Sequence, residues 1–434
     1  CRATAGDGGG VSLGDGGSTA RVGDDTSFVN CSASKDGGGV ASAGRATLGR
    51  GLVFRGNVAE TGGGGGAYLR NVSGSLVVRD AVFAENRCRT SGGGLFVEFQ
   101  ASKPRVECAR CPVEMAGQPC AYAKNGTWRS WDLSSDAAVV GSTFVGNEAN
   151  FSAGGLGVTG GARMSIEDTS FHRNSARMLG GGLMVGQGYV RTAVDLTTAR
   201  VSFEDNAAIL GASFYSETGL TASLRDRTTF SHTTGSFLTS LYVWMGNTMD
   251  LDATSGVRCA VGTTIASQFV VPAPFNFTPF VFWSNGELCP DVKENAIGSL
   301  YPPFLVQTVS VGCEPCPRDS YTLGAGSWLG TERRDAACLP CPYGATCEAG
   351  GSGVVAKPGY KGEVSGSEGE IGAPVVAFER CPDGYCCGDG RAPCAAFDSC
   401  AEHREGPLCG SCAPGSSAAL FTDACRDDGA CGTA

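Results

Sequence analysis

Short apolar runs separated by glycine and small polar residues recur along the chain, among them Leu76-Val77-Val78, Leu95-Phe96-Val97, Met164-Ser165-Ile166 and Leu183-Met184-Val185. Runs of this length bounded by Gly, Asn, Asp and Ser predict β-strands. No 3.6-residue periodicity spans them, so helical repeats are excluded. Between the runs one phrase returns, Phe-x-x-Asn-x-Ala followed by glycines. It stands at Phe54/Asn57/Ala59, Phe83/Asn86/Cys88, Phe144/Asn147/Ala149, Phe171/Asn174/Ala176 and Phe203/Asn206/Ala208, with a variant at Phe28/Cys31/Ala33 and a worn copy opening at Phe230.

The phenylalanines are 26, 29, 61, 27, 32 and 27 residues apart. A self-similar period of that size means a solenoid, propeller or array. Without a leucine lattice or helical period, a parallel β-helix remains, each repeat forming one coil of about three short strands. Coils paired at roughly 4.8 Å stack equivalent positions into columns. Phe54, Phe83, Phe144, Phe171 and Phe203 are expected inside as an aromatic column. Asn57, Asn86, Asn147, Asn174 and Asn206 are expected to form an amide ladder, each donating and accepting along the stack. Glycines meet the corners' need for positive φ and close backbone approach.

The phrase resembles the repeats of bacterial polymorphic outer-membrane proteins, found also in large surface proteins of algae and other protists. The likeness covers roughly residues 1–240 and rests on Phe-x-x-Asn plus Gly-Gly. It implies a right-handed parallel β-helix with adhesive or surface-structural use. Departures are Cys31 at the Asn column, Cys88 at the Ala column, and Thr233 and Gly235 in the last copy.

The chain begins at Cys1 with a stretch matching Cys31-Ser32-Ala33, so it starts inside a coil; a Cys1–Cys31 bridge between neighbouring coils is expected. The same start leads to the expectation that this is a mature or excised piece, with coils absent upstream and an open coil end able to stack on another copy. Residues 99–137 break the rhythm and read as an insertion looped from a coil corner. With Cys88, its Cys108, Cys111 and Cys120 suffice for two bridges. Residues 241–310 keep apolar strand runs without the motif and read as degenerate final coils and a cap, with Cys259 expected to pair with Cys289.

Composition sets the compartment. The 434 residues include 22 cysteines and 67 glycines, with 18% charged residues and a net charge of −10. The even cysteine count indicates oxidising surroundings. Sequons at Asn30, Asn71, Asn125, Asn150 and Asn276 agree with a eukaryotic extracellular glycoprotein. No basic stripe suits nucleic acid, and no apolar run is long enough to span a membrane as a helix.

Residues 311–434 hold 14 of the cysteines. Cys313-Glu314-Pro315-Cys316-Pro317, then Tyr321, Gly324 and Cys338-Leu339-Pro340-Cys341 through Cys347, resemble the ephrin-receptor-like cysteine-rich repeat. Gly406-Pro407-Leu408-Cys409-Gly410-Ser411-Cys412 is similar to a segment of epidermal-growth-factor-like modules. Both resemblances imply a loop-dominated, disulfide-held stalk. Cys381, Cys386, Cys387, Cys394, Cys400, Cys425 and Cys431 are expected in bridges too, with the connectivity open.

Rival chemistries each lack a partner. Cys313-x2-Cys316 and Cys338-x2-Cys341 approach zinc-ribbon spacing, but Cys347 and the sequons favour disulfides. Cys409-x2-Cys412 has no βαβ setting for redox work. Asp7, Asp15, Asp24 and Asp25 lie among glycines without the Gly-Gly-x-Gly-x-Asp spacing, so solvated turn aspartates are expected and calcium is the lesser alternative. A polysaccharide lyase or hydrolase would need converging carboxylates; three residues before each motif Phe stand Gly51, Asp80, Gly141, Asp168, Arg200 and Arg227, with Asp80 and Asp168 a whole coil apart. His172, His232 and His403 are scattered. The glycine runs precede no helix that would hold a phosphate.

The reading is therefore an all-β chain: parallel β-helix coils over 1–240 with the 99–137 insertion, a cap over 241–310, and a cysteine-rich region over 311–434. The expected function is a non-catalytic structural or adhesive glycoprotein of the cell exterior, in a filament, flagellar hair or cell wall. Its partners would be further copies or other surface glycoproteins, with no cofactor beyond N-linked glycans. The alternatives are a receptor-like protein binding through 99–137 and, behind it, a polysaccharide lyase or hydrolase.

Overall fold

A computed structural model describes residues 1–13, 20–44, 46–99, 104–108, 120–123, 127–131, 135–186, 193–216, 220–231, 241–243, 248–270, 308–330, 332–347, 354–368, 373–388, 394–419 and 424–431. The expectations for Asp15, Cys111, Asn125, His232, Thr233, Gly235, Asn276 and Cys289 concern positions outside these residues, and side chains are described neither between 101 and 134 nor at Cys431. The chain forms a parallel β-solenoid of about seven turns followed by a disulfide-rich region.

One coil illustrates the rest. It contains four short strands, Val53–Arg55, Val58–Ala59, Ala67–Val72 and Ser75–Arg79, one more than expected; the additional one is only two residues long. Each joins its own parallel sheet running along the long axis. The phenylalanine strands pair without slippage: Phe28, Phe54, Phe83, Phe144, Phe171, Phe203 and Phe230 are successive partners. Their rings stack face to face, with centroids 4.7 to 5.1 Å apart. The strand spacing of a sheet, about 4.7–4.9 Å, imposes that separation.

Beside this column runs the amide ladder. Asn147 Nδ2 donates to Asn174 Oδ1 and to the carbonyl of Phe83, both at 2.8 Å. Its Oδ1 accepts from Asn86 Nδ2 at 2.9 Å and from the Asn86 backbone N–H at 3.1 Å. The amide's hydrogen-bonding capacity is thus filled in a site with no exposure, which is why a buried polar column carries no desolvation debt. Asn86 and Asn174 make the same set of bonds along the stack, and Asn57 donates likewise while its Oδ1 accepts from the Cys31 N–H alone. At Cys31 the ladder stops, since a thiol replaces the amide, and Cys31 is joined instead to Cys1 in the neighbouring coil, with Cα atoms 4.5 Å apart.

Corners need left-handed backbone. Three residues before the phenylalanines, Asp25, Asp80, Asp168 and Arg200 have φ between 49° and 53°, and Gly51 and Gly141 occupy the same column at 68° and 62°. Aspartate tolerates this region better than most side chains. Close approach, not φ, fixes Gly93: a Cβ there would lie 2.5 Å from the carbonyl of Gly154 in the next coil.

The parallel order ends after residue 258. Leu241–Val243, Thr248–Leu251 and Gly256–Arg258 still pair parallel to preceding coils. Strand Thr308–Pro315 then runs antiparallel to both Leu241–Val243 and Thr263–Val270, and Ser327–Leu329 runs antiparallel to Gly256–Arg258. This reversal closes both ten-stranded sheets at that end. It also corrects one pairing: Cys259 bonds Cys313, not Cys289. The antiparallel strand lays Cys313 against Ile265 and brings its Cα to 5.5 Å from that of Cys259.

A second correction concerns Cys88, expected in a bridge with the insertion. It is a free thiol, stacked with Ala59 and Ala149 in the inward-facing small-residue column. Pairing would have required it to turn outward from a strand whose register is fixed on both sides.

The ladder predicts its own weak point. Asn147→Ala leaves at least two buried polar groups without partners, a loss of roughly 2–5 kcal/mol, whereas Val145→Thr on the outward side of the same coil stays within about 0.5 kcal/mol. Urea denaturation of the two variants followed by circular dichroism checks the contrast.

Candidate functional site

Because the interior columns are filled by side chains, recognition or chemistry falls to the outer faces and corners. Asn30, Asn71 and Asn150 are all exposed, so three of the sequons present their amides to solvent. Asn30 at a bend and Asn71 at the register irregularity of the strand Ala67–Val72 have φ of 52° and 54°.

A charged ladder runs over the last coils. Arg200 Nε lies 2.6 Å from Asp168 Oδ1, and its Nη1 lies 2.6 Å from Asp226 Oδ2. The bond from Arg200 holds the Asp168 carboxyl below its ordinary range, while those from Asp168 and Asp226 raise the guanidinium. One coil further, Asp252 accepts from the N–H groups of Asp226 and Thr254, at 2.6 and 2.9 Å. Slight burial opposes its ionisation, but these bonds and the Ser255 and Thr254 hydroxyls win, lowering its pKa to about 2. Asp80 is paired with Arg50. Asp80 and Asp168 therefore belong to separate ion pairs and are not brought together. Among the turn aspartates, Asp7 accepts from the Asp36 N–H and Asp24 from the Arg50 N–H, which pins adjacent coils.

Sequence reasoning missed two features of the surface. His172 Nδ1 sits 3.4 Å from Glu204 Oε2 in the adjacent coil, and His172, Glu204 and Asp205 offer ligand atoms within 4.8 Å of one another. The pairing of His172 with Glu204 follows from the phenylalanine register, so aligning the coils would have found it. His403 lies elsewhere, 3.3 Å from the Ser416 hydroxyl in the cysteine-rich region.

The other feature is a hollow of about 750 Å³ at the corner after the alanine column, lined by Thr61, Arg89, Thr90, Asn150, Phe151 and Arg177. Phe151 is 45% exposed within it. The signal was available: these residues occupy the one and two positions following the motif alanine, where the repeat imposes nothing.

In the cysteine-rich region the pairs are Cys316–Cys338, Cys341–Cys347, Cys381–Cys386, Cys387–Cys394, Cys400–Cys409 and Cys412–Cys425. The two Cys-x2-Cys elements near zinc-ribbon spacing thus carry disulfides, and Cys409 and Cys412 pair with different partners. Cys409 Sγ also lies 3.3 Å from Cys386 Sγ. Tyr321, Ala345, Val354 and Val376 form a small core, with the Tyr321 hydroxyl accepting from the Val376 N–H at 2.9 Å. No helix among the described residues is long and apolar enough to cross a membrane. The chain matches no known protein-family profile, no curated protein and no solved structure.

Two tests follow. Burial raises the Cys88 thiol to about 12, so alkylation of native protein at pH 8 is expected to spare the Cys88 peptide, which is labelled fully after unfolding; mass mapping reads both. Asp252 ionises at lower pH folded than unfolded, so its contribution is present above the unfolded pKa of about 4 and lost as pH falls towards 2. The thermal midpoint should drop over that window, and drop less in Asp252→Asn.

Proposed function

We propose that this chain is a non-catalytic structural or adhesive glycoprotein of the cell exterior, a stiff rod carrying a disulfide-held stalk. The observation that carries the reading is the uninterrupted stack from Phe28 to Phe230, tied to the stalk through an antiparallel cap and the Cys259–Cys313 bridge. A structure whose every coil is bonded to its neighbours resists bending and has little to rearrange, which suits load or display better than turnover. Eight disulfides among the described residues support an oxidising compartment, and exposed Asn30, Asn71 and Asn150 support glycosylation. The repeat phrase and the cysteine spacings, through the surface proteins they resemble, favour a filament, flagellar hair or wall layer.

Asp80 and Asp168 lie in separate ion pairs, and Asp168 and Asp226 are both held by Arg200, an arrangement that favours a surface charge ladder over the free acid and base of glycoside chemistry. The receptor-like reading keeps one specific observation: Pro104–Cys108, Thr127–Trp131 and Cys120–Ala123 form a separate antiparallel sheet outside the parallel ladders. Deleting 101–134, which spares the scaffold strands Leu95–Phe99 and Asp136–Val140, separates the two readings, since adhesion persists in a rod and disappears in a receptor that binds through the loop.

Material secreted from a eukaryotic host and imaged by electron microscopy under non-reducing conditions should contain thin rods or their assemblies. Glycopeptide mapping should find sugar on Asn30 or Asn71. Unglycosylated protein that folds only with reduced cysteines would remove the extracellular assignment.

A further inference from the structure

Hydrogen bonds between coils set the corner around the hollow into two columns along the long axis. Asn150 N–H donates to the Cys88 carbonyl and Arg177 N–H to that of Ala149, both at 3.1 Å, which places Arg89, Asn150 and Arg177 one above another. Phe151 N–H donates to the Thr90 carbonyl at 2.9 Å and Met178 N–H to that of Phe151 at 3.0 Å, which forms the second column. Phe151, Met178 and, on the next coil, Ile209 are exposed by 45, 38 and 60%. Three consecutive coils thus leave large apolar side chains in solvent at one corner, where a soluble surface would ordinarily carry polar ones.

Charge adds to this. Arg89 and Arg177 meet no carboxylate among the described residues, as Arg55, Arg79 and Arg173 also do not, but these two stand in one column over a shared hollow. No acid lines the hollow, in a chain of net charge −10. The neighbouring hollow shares Arg89 and Asn150 with this one and holds Glu60 and the Arg87–Glu148 pair.

We propose that this corner binds an acidic polysaccharide laid along the rod, its carboxylate or sulfate groups on Arg89 and Arg177 and a sugar face against Phe151. Two coil steps separate the arginines by roughly 9–10 Å, a spacing suited to a chain that carries charge at regular intervals. Guanidinium groups bind such anions through paired N–H donors, and an exposed aromatic ring beside them offers an apolar plane. A stiff, extended ligand loses little freedom on docking against a rigid scaffold. The corner's backbone N–H and C=O groups are already paired between coils, so a peptide could not add as a strand. The inference rests on the extracellular reading above.

The test uses the secreted chain on immobilised polygalacturonate, with dextran and polyglutamate surfaces for comparison. Binding should occur on polygalacturonate, weaken as salt rises, and be absent on dextran. Arg89→Ala with Arg177→Ala should lose at least about tenfold in affinity, and Phe151→Ala several-fold. Arg55→Ala with Arg79→Ala, the same charge change elsewhere on the surface, should bind as wild type, all variants keeping the parent thermal midpoint. Equal losses in the two double variants, or polyglutamate bound as tightly as polygalacturonate, would overturn the proposal as mere net charge. Binding seen only in Asn150→Gln would overturn it differently, assigning the corner to the chain's own glycan. Each of these failures leaves untouched the rods that electron microscopy is expected to show.

Discussion

Everything in this fold depends on hydrogen bonds that run parallel to the rod's axis, from each coil to the next. Backbone pairing alone would tolerate slippage, because a parallel strand of three residues has little to hold its register. The asparagine ladder removes that freedom. From Asn57 to Asn174 each amide touches the coil before and the coil after, so a one-residue shift would strand donors and acceptors in an interior that water does not reach. The phenylalanine column supplies the burial and the asparagine column the registration. Neither would suffice by itself: stacked rings are content to slide, and buried amides need an apolar wall around them.

This constraint orders the rest of the surface. Once register is fixed, outward residues fall into columns whether or not selection asked for it, and neighbours in a column interact across intervals of about 30 residues in sequence. Asp168, Arg200 and Asp226 become a charge-alternating line, and His172 meets Glu204. Arg89, Asn150 and Arg177 share a corner. A solenoid thereby turns widely separated residues into a flat, repetitive face, which is the geometry that long or repetitive partners require.

Much of the architecture was legible because the repeat states it twice, as Phe-x-x-Asn and as the glycine clusters. The interior positions of Phe54 to Phe203 and Asn57 to Asn206 follow from periodicity, and the bond between Cys1 and Cys31 follows from matching the first coil to the second. Legibility failed where the periodic signal did. Cys88 read as a bridge partner because its type outweighed its position; the alanine column faces inward, and position decides. For Cys259 the sequence offers Cys289, the nearest following cysteine, since nothing in the apolar runs after 258 announces that Thr308–Pro315 folds back antiparallel. Outward pairs such as Arg200 with Asp226 were hidden by the variability of their positions, although the register that creates them was already in hand.

The insertion between Phe99 and Asp136 interrupts the sequence and leaves the scaffold untouched. Ser75–Arg79 pairs directly with Asp136–Val140, and Asn86 reaches Asn147 across 61 residues with the same 2.9 Å bond that Asn57 makes to Asn86 across 29. Tension applied along the rod would therefore pass from coil to coil and bypass the inserted sheet. Such a corner works as a socket: it holds an added sheet of its own, while the mechanics of the shaft stay the same.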